Sequence, residues 1–568
     1  MNSIGFRRER LWAFAVVVLV NALVLGYFYD RFWWPPDDGH YAHVAERVLA
    51  GEVLHADIRD FHTDYVHLVH VLALKLFGTD LLSLRVPLVV ITLMQSCLMF
   101  LLFAECSFWT APVGALSLTA LSCIQFLNPQ PHWYCLFLAV VVIWFLKWRP
   151  RGSRGRLEIL GFLVATVYLF RQLTGVFLGM GVLTYLLVES CDMRRGREVL
   201  FARGILAAMF LALVGYYRLA TNAVGVALFG VWPLAVLGWS MFRSSVSNQD
   251  VARMLVRMTL GGIAALLPVL AYHTTHGSLG GFVSDTMLNA TRVHDLWYID
   301  VSSYTSFLLL GLHQLIQMEG IARILNGIYW VTLPLLAALN GVLMLRYLYQ
   351  LNQTERLDGV VPFIAVFFAL VSIFNQIPIY LYYSVGLSLA GVLWLGTLSK
   401  NARPMLGIVL AVVLAAVAVH YQAAQPISRK VRGVAAGQRV VLVYNDRFDR
   451  ARLWFEARDI DAYGELIELI RRETSPSDPI FVFPNHPEVY FLAHRRNPFA
   501  FVNTSLAITN QRELNEVMKH LSERKPRLVI HAQYDRHNTP RSDVIVLFVR
   551  RNYDLISTVA GFRIYRRR

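Results

Sequence analysis

Between residues 11 and 421 the polar positions are so sparse that the chain divides into apolar stretches. Against the template of about 20 mostly apolar residues for a membrane-crossing helix, somewhat fewer where the flanks snorkel, it predicts thirteen spans. They lie near 11–29, 84–105, 108–126, 133–147, 157–170, 173–188, 204–221, 223–242, 254–272, 323–345, 360–377, 380–398 and 404–421. The first follows Arg7, Arg8 and Arg10, lacks a small-residue cleavage site, and ends in the aromatic belt Tyr27-Phe28-Tyr29-Asp30-Arg31-Phe32-Trp33-Trp34. It reads as an uncleaved anchor. From Val440 onward the pattern changes. Val440–Tyr444, Ile480–Phe483 and Arg527–Ile530 read as buried strands. Ala462/Leu466/Leu469/Ile470 and Leu514/Val517/Leu521 have helical spacing, the latter with Thr509 as its expected cap. Alternating strands and helices predict a small α/β domain.

Composition agrees. The 568 residues are 56% hydrophobic and only 16% charged, which excludes a string of soluble domains, disorder and a disulfide scaffold. The net charge of +15 would suggest nucleic acid on a soluble protein. On a membrane protein it reflects positive-inside loops, so no nucleic-acid partner is expected. None of the five cysteines (97, 106, 123, 135, 191) forms a CxxC pair, and they read as small buried hydrophobes.

Thirteen spans place the termini on opposite sides. Loops on the N-terminal side carry the basic clusters 7–10, 147–156 and 194–203, whereas the short loops opposite hold only Arg171, Arg218, Arg292 and Arg323. The asymmetry predicts a cytoplasmic N-terminus in an inner membrane. The expected division is a membrane domain over 1–424, with extracytoplasmic loops near 30–83 and 273–322, and a soluble extracytoplasmic α/β domain over 425–568.

Candidate chemistry gathers in the first of these loops. Pro35-Pro36-Asp37-Asp38-Gly39-His40-Tyr41 ends the first span and opens an amphipathic helix with Tyr41, Val44, Ala45, Val48 and Leu49 on one face, predicted to lie along the interface. Carboxylates at that depth suit deprotonation of an acceptor hydroxyl, or a Mg²⁺ or Mn²⁺ held by Asp37 and Asp38 beside a lipid phosphate. The alternative is a helix cap, for which one acid suffices. Gly39 suits either a close approach of backbone to ligand or a helix-entry turn. His40/His43 and His67/His70 are spaced i,i+3 and can in principle bind zinc. No HExxH-type signature accompanies them, so hydrogen-bonding surface histidines are the expectation. Phe170-Arg171-Gln172 separates two short spans. A cation at that depth meets a lipid phosphate or merely snorkels. Weaker candidates for substrate contact are His294 and Tyr298 in the second loop, and Asn128, Gln130, His132, Tyr380, Tyr382 and Tyr383 at outer helix ends.

With the stretch "ERVLAGEVLHADIRDFHTD", the apolar helix ending "KLFG" and Pro484–Pro498, this pattern resembles the GT-C superfamily of membrane glycosyltransferases. The branch most similar is that of the protein O-mannosyltransferases and lipid A aminoarabinose transferases. The resemblance implies inverting transfer of a monosaccharide from a polyprenyl-phosphate donor to a glycan, lipid or protein acceptor. It implies a catalytic aspartate at Asp37, with Asp38 in the position of the family's glutamate. Where those branches carry Lys-Pro-Pro or similar, this chain has His62-Thr63-Asp64, which makes Asp64 a candidate second carboxylate. The reading that results uses Asp37 as base, with Asp38 and Asp64 beside it. Arg171, Gln172 and Tyr298 would hold donor phosphate, and His40, Tyr41, His62, His132 and His294 would face substrate. The rivals are a lipid-linked glycan flippase, which would bury charge near the midplane and often repeat its halves, and a glycan-binding scaffold, which would not need the acidic pair.

Overall fold

The computed structural model describes residues 8–568 except 190–195, 289–302, 319, 352–354, 356, 375, 399–403, 425–440 and 509. His294 and Tyr298 lie outside the described residues. Each expected span coincides with a helix. Among the described residues eight helices are long and apolar enough to cross a membrane: Arg8–Phe28, Leu82–Phe103, Pro131–Trp148, Leu200–Ala220, Ala223–Arg243, Asn248–Thr275, Arg323–Gln350 and Pro378–Leu398. The remaining five spans coincide with helices that fall short of that measure. They include α7 (Arg156–Phe170, 15 residues) and α8 (Gln172–Val188, 17 residues). At 1.5 Å per residue these two are about 22 and 25 Å long. Their hairpin is tight because Gly175 lets α8 approach α7: a Cβ there would lie 2.4 Å from the Tyr168 Cα.

Several elements went unforeseen, among them the strands Trp454–Glu456, Tyr553–Val559 and Phe562–Arg567 and one further helix. Ser303–Gln317 is helical, within the expected second loop. Its apolar run is broken by Gly311, His313 and Gln314, which leaves too little for a span.

The helix after the first span, α2 (Pro35–Leu49), starts on two prolines whose missing N–H groups cost nothing in a first turn. It does not lie half-exposed on an interface. Tyr41, Val44 and Ala45 are buried on one side, and His40, His43 and Arg47 are buried as well. The second face is covered by the C-terminal domain, whose Glu488–Ala493 helix packs on α2. Gly39 makes this possible. A Cβ there would sit 2.3 Å from Glu488 Cα and N, so the close approach is to protein backbone and not to a ligand.

That domain, described from residue 441, has a four-stranded sheet and a separate pair. β1 (Leu442–Tyr444) and β2 (Trp454–Glu456) pair antiparallel. β3 (Ile480–Phe483), β4 (Leu528–Ala532), β5 (Tyr553–Val559) and β6 (Phe562–Arg567) form a sheet in the order β3-β4-β6-β5, with β3 and β4 parallel and the other pairs antiparallel. The Gln511–Arg524 helix is capped by Asn510 in a capping box with Glu513, in place of the expected Thr509. The domain is laced to the segment between the first two spans. Trp454 donates its backbone N–H to Asp30 O (2.7 Å), Arg59 to Ala500 O (2.8 Å) and Leu81 to Arg450 O (2.9 Å), and Arg450 pairs with Glu46 at 2.7 Å. Loop and domain thus pack together over one end of the spans.

Candidate active site

Between this body and the helix ends lies a cavity of about 840 Å³, within the range of small-molecule sites. Its walls come from several parts of the chain. α2 contributes Asp37, His40 and Tyr41, and the α7–α8 turn contributes Arg171. Tyr380 and Tyr383 enter from the Pro378–Leu398 helix, and the C-terminal domain closes the roof with His486, Asp535, Arg536 and His537. The roof residues follow the carboxyl ends of β3 and β4, the end of a parallel pair where ligands usually bind.

Asp37 accepts hydrogen bonds from Gln130 Nε2 at 2.7 Å and Asn128 Nδ2 at 3.3 Å. Burial pushes its pKa up to about 6, with the charge of Asp38 adding to the rise and the Gln130 bond opposing it. A carboxylate tuned toward neutral pH, aimed into a cavity, suits a general base.

Asp38 does something else. It points away from the cavity, accepts the Trp34 backbone N–H at 2.8 Å and lies 3.4 Å from Arg85 Nη2. Arg85 in turn donates to the carbonyls of Tyr29, Arg31 and Phe32. The two members of the acidic pair are thus placed differently: Asp38 is tied to the Trp34 backbone just ahead of α2, and Asp37 faces the cavity. Because the two carboxylates diverge and Asp37 already meets two amide donors, they do not fit the Mg²⁺ or Mn²⁺ expected of them.

Asp64 is also outside the cavity. It is buried between His55 Nε2 (3.1 Å) and His273 Nε2 (2.5 Å). Burial raises its pKa, but these two hydrogen bonds prevail and hold it at about 2. His55 reaches on through Nδ1 to Asp285, 3.0 Å away at the cavity wall. Asp64 thus organises the loop and reaches the cavity wall only through His55 and Asp285.

Arg171 takes extended backbone between α7 and α8 and lines the cavity with no ion-pair partner among the described residues. Gln172 is turned elsewhere, donating to Phe61 O (3.0 Å) and Thr286 O (3.2 Å), so it ties the loop down and does not line the cavity. His132 stacks on Tyr383 with centroids 4.1 Å apart, behind the wall. Of the weaker candidates Tyr380, Tyr383 and Gln130 line the cavity, whereas Tyr382 bonds Tyr329.

The loop histidines are not on the surface. His40, His43, His55, His62, His67 and His70 are all buried. Asp60, which sequence reasoning passed over, lies among three of them: His40 Nε2 at 2.7 Å, His62 Nδ1 at 2.9 Å and His67 Nε2 at 2.9 Å. Burial lowers His40's pKa, yet Asp60 outweighs this and raises it. For His62 burial prevails over Asp60 and holds the imidazole down to about 3. Among the described residues two groups of side chains are placed to hold an ion: His40, Asp60, His62 and His67, and separately His55, Asp64 and His273.

The roof was also unforeseen. His486 bridges Glu488 (2.6 Å) and Asp535 (3.0 Å), and His537 lies 2.6 Å from Asp535. Burial lowers His486, but the two carboxylates raise its pKa to about 10. The usable signal was the pair of polar turns Asn485-His486 and Asp535-Arg536-His537, each shortly after a predicted buried strand.

No family model and no curated protein matches this chain. Solved structures do. A lipid A aminoarabinose transferase of Cupriavidus metallidurans bound to undecaprenyl phosphate aligns over 98% of this chain and 97% of its own, at 14% identity and a TM-score of 0.40. Its apo form aligns equally far with a TM-score of 0.39. An oligosaccharyltransferase of Archaeoglobus fulgidus, in complex with zinc and sulfate, aligns over 91% of this chain and 68% of its own, at 12% identity and a TM-score of 0.41. At these scores the likeness assigns no role to any residue, and the chemistry of the site rests on its own geometry.

Proposed function

We propose that this protein is an inverting glycosyltransferase of an inner membrane. It moves a monosaccharide from a polyprenyl-phosphate donor to an acceptor hydroxyl on the extracytoplasmic face. The observation that carries this reading is the pairing of Asp37, a base tuned near neutrality, with Arg171, a cation lacking an ion-pair partner among the described residues, in one cavity at the membrane's edge. Asp37 takes the acceptor proton as the acceptor oxygen bonds to the anomeric carbon. The bond from that carbon to phosphate oxygen breaks on the opposite face, and the lipid phosphate leaves with the electron pair toward Arg171. Phosphate leaves readily, so positioning and charge stabilisation carry much of the rate. A flippase reading finds less support, because the acids and histidines gather at the outer helix ends and not at mid-membrane. The deciding experiment reconstitutes the purified protein with radiolabelled polyprenyl-phosphate sugars and an extract of envelope acceptors. Transfer that disappears in Asp37→Asn supports the reading, and transfer retained in that variant overturns it.

A further inference from the structure

The histidines around Asp60 pose a problem of proton parity. His67 is fully buried, and neither of its ring nitrogens has a hydrogen-bond partner. Yet its Nε2 lies 2.9 Å from Asp60 Oδ2, close enough to touch but not aligned to share a proton. Unpaired buried polar groups are costly, and an imidazole with two orphaned nitrogens beside a carboxylate calls for a partner that needs no hydrogen-bond geometry.

His62 raises the same problem from the other side. Its Nδ1 is 2.9 Å from Asp60 Oδ1 and its Nε2 is 3.0 Å from the Tyr41 hydroxyl. That hydroxyl donates to Gln130 Oε1 at 3.0 Å, and Gln130 Nε2 donates to Asp37. With Asp37 ionised, as a base must be, the amide is fixed in this direction and Tyr41 spends its only proton on Gln130. A neutral His62 must then carry its proton on Nε2 to serve Tyr41, which leaves a bare lone pair on Nδ1 facing a carboxylate oxygen. The other tautomer repairs Nδ1 and leaves Tyr41 with two acceptors for one proton. A positive charge at Nδ1, a proton or a metal ion, resolves both, and the two orphaned nitrogens of His67 favour the metal ion.

We propose that His40, Asp60, His62 and His67 form a zinc-binding site that sets the direction of the hydrogen-bond chain ending on Asp37. Three imidazole nitrogens and one carboxylate oxygen suit Zn²⁺, whereas Mg²⁺ and Ca²⁺ take oxygen ligands. The ring centroids of His40, His62 and His67 are 5.4, 5.9 and 6.3 Å apart, near the spacing of about 5 Å expected for three imidazoles on a tetrahedral ion. Binding takes neutral imidazoles. With zinc on His62 Nδ1, Nε2–H donates to Tyr41, Tyr41 to Gln130 and Gln130 to Asp37, the outer-sphere arrangement by which metal sites orient their surroundings. The neighbouring His55, Asp64 and His273 need no ion. His55 is bonded to Asp285 and Asp64, and His273 to Ser278 and Asp64.

His40, Asp60 and His62 line the same cavity as Asp37, but zinc binding itself does not depend on the transfer reaction; only its effect on Asp37 rests on that reading. The test uses the full chain in detergent, stripped with chelator, equilibrated with zinc chloride and desalted. The expected result is about one zinc per chain, reduced at least tenfold in His67→Gln and unchanged in His273→Gln. X-ray absorption of the cobalt-loaded wild type, which depends on no variant folding, should count three imidazoles, against two for the His55 group. Wild-type protein that retains no zinc, a loss that follows His273 in place of His67, or a two-imidazole spectrum overturns the site. Zinc content is read without a transfer assay, so a zinc-bearing protein inactive toward every donor would overturn the transferase reading and leave the site intact.

Discussion

A carboxylate whose pKa is pushed to about 6 by burial works against the fold that holds it. The sign is set by the direction of the shift. Below about pH 4 Asp37 is protonated in folded and unfolded chains alike and there is no penalty. The penalty grows as pH rises to 6 and is constant above. Asp37→Asn should therefore raise thermal stability at pH 7, by on the order of 1 kcal/mol once water in the cavity is allowed for, and leave it unchanged at pH 4. The same substitution should lower transfer about 10²–10⁴-fold, and wild-type kcat/KM should fall tenfold per unit below about pH 6. Melting curves and a pH–rate profile check the three together. For Arg171, loss of a charge-assisted bond to phosphate is worth about 1.5–3 kcal/mol. Arg171→Ala should accordingly raise the KM for donor roughly 10–100-fold, and Lys should restore it in part for want of a bidentate fork. A donor titration with an unchanged KM returns Arg171 to the role of a snorkelling cation.

At the level of elements, α2 is the piece on which the two parts of the molecule meet. Its Gly39 admits the Glu488–Ala493 helix with no space for a methyl group. Gly39→Ala should cost the docking at least the 1–3 kcal/mol of an overpacked core, leaving the protein inserted in the membrane but its C-terminal domain sensitive to protease. Limited proteolysis of membrane fractions measures this directly. What the sequence made legible follows the same division. Membrane spans are set by local apolarity, so all thirteen stretches became helices, and buried strands such as Ile480–Phe483 were visible for the same reason. The Ser303–Gln317 helix stayed hidden because its apolar run is short and interrupted. The two duties of Asp37 and Asp38 could not be assigned from spacing, since they depend on Arg85 and Gln130, residues distant in sequence. Likewise the loop histidines looked solvated until the C-terminal domain and the helix ends were seen to enclose them.

On the scale of the whole molecule, the placement of basic residues predicts that everything after Ala424 lies outside the cytoplasm. Alkaline phosphatase joined after Arg568 should be active and a green fluorescent protein in its place dark; the opposite pattern would put the cavity on the wrong side for the proposed donor. The short hairpin beside that cavity carries a consequence for the lipid. Helices of 15 and 17 residues, about 22 and 25 Å long, do not span a hydrocarbon layer of about 30 Å, and Leu173 and Val176 near their tip are exposed. Lipid that wets those side chains must thin to meet them, at a fraction of a kcal/mol per ångström of mismatch. The dent draws the headgroup plane down to the depth of Arg171, so acyl-chain length becomes a variable of the reaction. In vesicles of progressively longer lipids, with headgroup held constant, turnover should decline as the bilayer grows too stiff and thick to follow the protein inward.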